Sequence, residues 1–283
     1  MQTITEIRAL LAERGLRPRH RLGQNFLHDQ NQLRKLIAAA QIAPGDLVLE
    51  VGPGTGTLTE ALLEAGAAVI ACEIDERLAD LVADRLGERI TLIRGDCLAR
   101  GRALAPSVVE AINGRAFRLV ANLPYQVASP LMTTLLLDHA NCLGQYVTIQ
   151  KEVADRLLAA PGGKEYGPLG IIIQALAEVK RIGAVPPTCF WPQPKVTSAM
   201  ISIFPSPPGR GARGEGPPEG EGLESPEARR SFARFITDLF SKRRKQLGTI
   251  FGRDRSWPDG VTADMRPEVL TVEQLTHLWR AAR

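Results

Sequence analysis

The sequence predicts an α/β fold, a mostly parallel sheet covered by helices on both faces, followed by a smaller helical domain. Three observations carry this. Apolar runs of strand length alternate with amphipathic stretches between residues 47 and 204, the pattern that βαβ units leave in a chain. A Gly/Pro-rich segment then interrupts the alternation, and the sequence beyond it has helical spacing only. Hydrophobic residues make up 44% of the 283 and charged residues 23%, which is the balance of a chain that can build a core and excludes wholesale disorder.

Taken in order, residues 1–36 form a basic N-terminal arm. Strands are expected at 47–51 (LVLEV), 68–74 (AVIACEI), 90–96 (ITLIRGD), 117–123 (FRLVANL), 146–150 (YVTIQ) and 198–204 (SAMISIF). The first two are followed by amphipathic helical stretches, TLTEALLEAG and RLADLVADRL. In the segment 205–226, glycine and proline supply 12 of 22 residues, too little apolar surface to order itself, so it reads as a flexible linker. Beyond it, PEARRSFARFITDLFSKRRKQLGTIF reads as helix and TVEQLTHLWRAAR as a final helix capped by Thr271. The expected domains are therefore 1–204 and 227–283, joined by 205–226. No internal repeat is present.

The net charge of +4 and the pI near 9.0 are mildly basic, but the charge is unevenly placed. Residues 1–36 carry +4 and residues 227–260 carry +5, on either side of a middle, 37–204, that carries −3. Two basic flanks are what a split platform for a polyanion requires; two solvated helical faces would give the same count. The four cysteines are far apart, with no C-x-x-C pair, which argues against a zinc ribbon, a redox dithiol or a disulfide-stapled module. His20, His28, His139 and His277 lack metal-ligand spacing, so no metal is expected. No apolar run approaches the length of a membrane span, and no secretory leader is seen; a cytoplasmic protein is expected.

The first strand runs into Glu50-Val51-Gly52-Pro53-Gly54-Thr55-Gly56 and then a helix. Such glycines let the backbone turn sharply and approach a ligand at the helix N-terminus. The spacing is G-x-G-x-G, not the G-x-G-x-x-G of dinucleotide sites. With an acid before it and no phosphate-binding lysine, the loop resembles that of S-adenosylmethionine-dependent methyltransferases. Glu73 closes the second strand 21 residues beyond Gly52, where a carboxylate can accept from both ribose hydroxyls. Asp96 closes the third strand, where it can accept from an adenine amino group. These features stand at successive carboxyl ends, where open α/β sheets bind ligands.

After the fourth strand comes Asn122-Leu123-Pro124-Tyr125. A nucleobase amino nitrogen is a poor nucleophile because its lone pair is delocalised into the ring. The Asn122 side-chain oxygen and the Leu123 carbonyl can hold its two hydrogens and favour a pyramidal nitrogen. Pro124 keeps the preceding residue extended, and Tyr125 offers a face for a flipped-out base. Rate then comes from proximity and electrostatic positioning, with no strong general base.

These motifs, together with LGQNFL (22–27), QKEVADRL (150–157), KEYG (164–167), FWPQPKVTS (190–198) and RRKQL (243–247), resemble the KsgA-type small-subunit rRNA adenine N6,N6-dimethyltransferases. The likeness runs from about residue 16 to the C-terminus, broken only by the linker. It implies a Rossmann-like seven-stranded S-adenosylmethionine-binding catalytic domain and a helical C-terminal domain that helps grip RNA. Carried over, the family's cofactor contacts fall on Asn25, Leu27, Gly52, Glu73, Asp96 and Asn122. The target-amine residues fall on Asn122, Leu123, Pro124 and Tyr125, with Phe190 a second stacking surface, and Arg243, Arg244 and Lys245 are candidate RNA contacts. The implied reaction dimethylates N6 of two adjacent adenosines near the 3′ end of small-subunit rRNA in the pre-30S particle, releasing S-adenosylhomocysteine. A monomer is expected. Gln126, Gly170 and Thr197 depart from the usual pattern, as does the stretch 95–106. A large-subunit rRNA dimethyltransferase of the macrolide-resistance type would share the catalytic motifs, and a non-catalytic RNA-binding factor would share the fold.

Overall fold

The computed structural model describes residues 1–206 and 222–282; residues 207–221 of the expected linker lie outside the described residues. The strands are β1 (Phe26–Leu27), β2 (Leu47–Val51), β3 (Ala68–Glu73), β4 (Ile90–Arg94), β5 (Phe117–Asn122), β6 (Cys142–Gln150), β7 (Ala177–Val185), β8 (Phe190–Trp191) and β9 (Ser198–Pro205). The helices are α1 (Ile4–Glu13), α2 (Gln30–Ala40), α3 (Thr57–Glu64), α4 (Glu76–Leu86), α5 (Pro106–Ile112), α6 (Tyr125–Asp138), α7 (Lys151–Leu157), α8 (Pro168–Leu176), α9 (Pro226–Ser241), α10 (Leu247–Phe251) and α11 (Val272–Ala281).

All six expected strands form. They join β7 in a seven-stranded sheet of order β4-β3-β2-β5-β6-β9-β7, parallel from β4 through β6, with β9 antiparallel to β6. Every residue of β2 is buried, as a central parallel strand covered on both faces demands. The chain builds β2, β3 and β4 outward in one direction, then returns to lay β5 on the other side of β2. This leaves a crevice at the carboxyl ends between β2 and β5, where an open α/β sheet takes its ligand.

The chain divides into two compact units. The first comprises Met1–Leu135, His139–Ala154 and Lys180–Ile203, and the second Leu136–Asp138, Asp155–Val179 and Phe204–Arg283. This differs from the boundaries read from the sequence, because α8 folds with the C-terminal helices. Its run Gly170–Ile173 is wholly buried and packs with α9 and α11, whose buried faces include Phe232, Ile236, Leu275 and Leu278. In the same unit the Tyr166 hydroxyl of the KEYG stretch donates to the Leu270 carbonyl at 2.8 Å, and its ring meets Phe240 edge-on. α11 begins at Thr271 with a full capping box to Gln274.

The Gly170 departure has a packing cause. A Cβ at this position would fall 2.2 Å from the Arg156 carbonyl oxygen, so α8 approaches the end of α7 closer than any side chain allows. Gly170→Ala is expected to destabilise the protein by about 1–3 kcal/mol, the usual cost of overpacking. Calorimetric melting checks this; an unchanged midpoint would show that the approach is not tight.

In the first unit, α1 opens on a Thr3–Glu6 capping box and buries Ile7 and Leu11 against Leu78, Leu81, Val82 and Leu86. The basic arm is thus fastened by its apolar stripe. Some of its cations are also engaged: Arg14 pairs with Asp84 and Arg19 with Asp75, and Arg8 lies over the Trp191 ring. No helix among the described residues is long and apolar enough to cross a membrane.

Candidate active site

A cavity of about 360 Å³ opens at the carboxyl ends of β2, β3, β4 and β5. Its floor is the glycine loop. Gly52 and Gly54 have φ of 74° and 63°, a backbone region in which L side chains are strained. Space is short as well: a Cβ on Gly54 would lie 2.9 Å from the Phe26 ring, too close without a shift, and one on Gly52 would lie 3.2 Å from Pro124, a tight contact. These two glycines bring the loop close to Phe26 of β1 on one side and to Pro124 on the other.

All six residues expected to contact a cofactor line this cavity: Asn25, Leu27, Gly52, Glu73, Asp96 and Asn122. Glu73 is 4% exposed and held at both oxygens, Oε2 accepting from the Gly54 amide at 3.2 Å and Oε1 from the Asp75 amide at 2.9 Å. Burial raises its carboxyl above the ordinary range, and those two amides oppose the shift. Asp96 is exposed and accepts from the Leu98 amide through Oδ1 at 2.9 Å, which fixes the carboxylate in a turn.

The Asn122 side chain is oriented by the N-terminal motif. Its Nδ2 donates to the Asn25 carbonyl at 2.9 Å, which leaves Oδ1 as the acceptor in the cavity wall. Leu123 is buried, and its amide donates to the Thr148 carbonyl at 3.1 Å, pinning the turn to β6. Pro124 lines the cavity and caps α6. Tyr125 is half-buried outside the cavity lining, with its hydroxyl 3.0 Å from Ser198 Oγ. Phe190 stands apart from these. It is 2% exposed and paired with Leu27 across the two-stranded β1–β8 ribbon, so the structure shows it bracing the GQNFL strand and not facing the cavity.

Arg243, Arg244 and Lys245 lie in the second unit, all exposed, in the turn between α9 and α10 and not on a helix as expected. After Ser241 the Lys242, Arg243 and Lys245 amides turn back to the Leu239, Phe240 and Lys242 carbonyls, and tertiary partners then take the first amides of α10. The Leu247 amide donates to Met265 and the Gly248 amide to Ala263. Arg243 Nε is 3.8 Å from Glu268.

Sequence reasoning passes over three groups. Glu50 reads only as an acid before the loop, but it is a cavity residue, 1% exposed, and its Oε2 has no hydrogen-bond partner. Burial pushes its carboxyl up to about 8, against the Thr59 hydroxyl and with the help of the neighbouring Glu73 charge. Gln24 reaches Asp75 through Nε2 at 3.0 Å and accepts from the Arg19 amide at 2.7 Å, tying the arm to the start of α4. Ser198, wholly buried, fixes Tyr125. The motif strings contain all three residues; nothing in them tells which is buried against which. Cys72 and Cys97 also line the cavity as buried thiols, Cys72 pushed up to about 12 by burial, so they pack as apolar groups.

The lining holds three acids, Glu50, Glu73 and Asp96, and one cation, Arg102. That balance repels a pyrophosphate and suits a ligand with hydroxyls, an amino group and positive charge. A sulfonium nucleoside with an amino-acid tail has this donor set, and the partnerless Glu50 oxygen is an acceptor such a ligand can meet. Among the described residues no group of three or more metal-ligating side chains occurs.

Comparison with known proteins agrees. The sequence model of the family described as ribosomal RNA adenine dimethylase matches residues 15–213. A ribosomal RNA small subunit methyltransferase A from Mycobacterium bovis is 44% identical over 209 residues, 70% of this chain and 63% of that protein; the matched stretch thus spans less than two thirds of that relative's length. The protein of the same name from Cutibacterium acnes is 37% identical over 291 aligned residues, covering 97% of this chain and 92% of the relative. A dimethyladenosine transferase structure from Plasmodium falciparum superposes with a TM-score of 0.69 at 25% identity, over 89% of this chain and 95% of that one. The 23S rRNA methyltransferase ErmE shares the fold, with a TM-score of 0.58 at 23% identity over 90% of this chain and 98% of its own. On the family match and these relatives, the chain belongs to the ribosomal RNA adenine dimethylase family.

Proposed function

We propose that the chain is an enzyme that transfers methyl groups from S-adenosylmethionine to N6 of two adjacent adenosines near the 3′ end of small-subunit rRNA. It acts on the pre-30S particle, as a monomer, in the cytoplasm. One observation carries the reading: the Asn122 amide is held by Asn25 so that its oxygen is presented at the wall of an acid-lined cavity. The relatives named for the small subunit favour that target over the large subunit.

When bound, the cofactor supplies an electrophilic methyl group on a sulfonium. The residues that would hold it are Glu73 at the ribose, Asp96 at the adenine amino group, and Asn25, Leu27 and Gly52 along the remainder. Asn122 Oδ1 and the Leu123 carbonyl accept the two N6 hydrogens of the target adenosine, which returns lone-pair density to the nitrogen and orients it. Tyr125, braced by Ser198, stacks on the flipped base. No side chain needs to act as a strong base, because proximity and fixed acceptors lower the barrier.

The test is methylation of small-subunit particles lacking the modification with labelled cofactor, followed by mapping of the modified nucleotide. Label in two adjacent small-subunit adenosines is expected; label in large-subunit particles, or none, overturns the reading. The exposed turn Arg243–Lys245 serves as a phosphate-binding element in the same scheme. Neutralising Arg243, Arg244 and Lys245 together is expected to weaken RNA binding and to reduce its salt dependence by roughly one unit of slope for each phosphate that is no longer neutralised. Filter binding over a salt series measures both; a fall in cofactor affinity instead would contradict the assignment.

A further inference from the structure

The second unit carries a separate cavity of about 610 Å³ that the reaction above does not use. Phe251 at the end of α10, Arg255, Trp257 and Pro258 in the loop after it, and His277 and Arg280 on α11 line it. The floor is aromatic and layered. Phe235 of α9 stacks on Phe251, centroids 6.2 Å apart at 24°, and Trp257 meets Phe251 edge-on at 6.5 Å. The Arg255 guanidinium sits 5.3 Å from the Phe251 centroid and 5.4 Å from that of Trp257. Arg255 Nη2 also donates to the Ala281 carbonyl at 2.8 Å, so the cation is fixed in place. The loop is fastened to α11 as well, Gln274 Nε2 donating to the Gly260 carbonyl at 2.8 Å.

Two features show what this cavity lacks. Arg280 Nε is shielded from solvent and has no hydrogen-bond partner among the described residues. Among the described residues two guanidinium groups line the cavity and no side-chain carboxylate does; Asp254 and Asp259 flank it in sequence but stay exposed, outside the lining. Two guanidinium groups lining one open cavity suit an anion. Aromatic faces beside it call for a flat π system, and one ligand that joins the two is a nucleotide. An apolar segment would leave the two guanidinium charges without a counter-charge.

We propose that this cavity holds one unpaired nucleotide of the RNA substrate, its base on Trp257 and its phosphate on Arg280 and Arg255. The proposal rests on the reading that the substrate is RNA. It gives the helical unit an anchor for a displaced base, in addition to phosphate contacts that any RNA can make.

The test uses the full-length chain and a single-stranded mixed-sequence oligoribonucleotide of ten residues, with its duplex as control, read by fluorescence anisotropy. Trp257→Leu is expected to weaken single-strand binding about tenfold, within the range for loss of one base–aromatic stack, and Trp257→Phe to restore most of it. Arg280→Gln, which keeps the aromatic floor, is expected to weaken it severalfold. Cofactor affinity stays unchanged in every variant. Native affinity in both Trp257→Leu and Arg280→Gln, or no oligoribonucleotide binding by the parent chain, overturns the proposal. So does an acidic peptide whose binding is lost in Trp257→Leu while that of the oligoribonucleotide is not. Failure of the parent chain to methylate any RNA counts against the catalytic reading alone, because the oligoribonucleotide assay does not depend on turnover.

Discussion

Asn122→Ala lowers methyl transfer by at least about 100-fold, the scale of losing one fixed polar partner of the transition state. The wild-type side chain does two things. Its Nδ2 clips the Asn25 carbonyl, and its Oδ1 is thereby aimed at the target amine. Alanine removes both, yet it adds no bulk to the RNA path, so RNA affinity is expected to stay close to native. Asn122→Asp separates the two roles. It retains an acceptor but sets a carboxylate oxygen against the Asn25 carbonyl, and the Gly23–Leu27 segment lines the same cavity. Cofactor affinity should therefore fall in Asn122→Asp beyond its fall in Asn122→Ala. Single-turnover transfer with labelled cofactor reads the first effect and calorimetric cofactor titration the second. Near-native dimethylation by Asn122→Ala would remove Asn122 from the chemistry.

The parts of this chain that a linear reading reaches are those whose signal is local. β2, β3 and β5 are buried apolar runs and β4 a partly buried one, and each ends in or runs into a residue whose place at a carboxyl terminus follows from the strand itself. Hence Gly52, Glu73, Asp96 and Asn122 emerge together. β7, one of the two strands at the ends of the sheet order, escapes for a reason of composition. Its sequence AEVKRIGAV alternates charged and apolar residues, with Glu178, Lys180 and Arg181 exposed or half-exposed, and so lacks the continuous apolar run of the inner strands. β1 and β8, two residues each, are too short for any periodicity. The helix expected to run through Arg243–Lys245 stops at Ser241 in a tight turn, and the first two amides of α10 then bond to Met265 and Ala263, partners about 15–18 residues away that no local propensity encodes. Glu50 is visible as a letter in the glycine loop, but its burial and its partnerless oxygen are properties of the assembled sheet.

That buried carboxyl gives the other large effect. Burial holds the Glu50 proton up to about pH 8 in the folded, ligand-free protein, whereas in the unfolded chain it is lost near the ordinary glutamate value of about 4.3. Below that value both states are protonated and the contribution to stability is fully present. Between the two values the unfolded chain releases a proton that the folded chain keeps, so stability falls as pH rises, by up to about 1.4 kcal/mol per unit for one proton. Above the folded value the loss is complete. Glu50→Gln cannot ionise and escapes this window. Its melting temperature is expected to exceed that of the parent at pH 8, by about 2–4 °C for each kcal/mol recovered, while the two converge below about pH 4. Ligand binding reverses the advantage. Positive charge entering beside Glu50 favours the carboxylate, so at pH 7 the parent chain should release close to one proton as it takes up S-adenosylmethionine, and Glu50→Gln close to none. Titration calorimetry in buffers of different ionisation enthalpy counts that proton. Equal proton release by the two proteins would mean that Glu50 stays neutral beside the cofactor, and that Glu73 and Asp96 alone balance its charge.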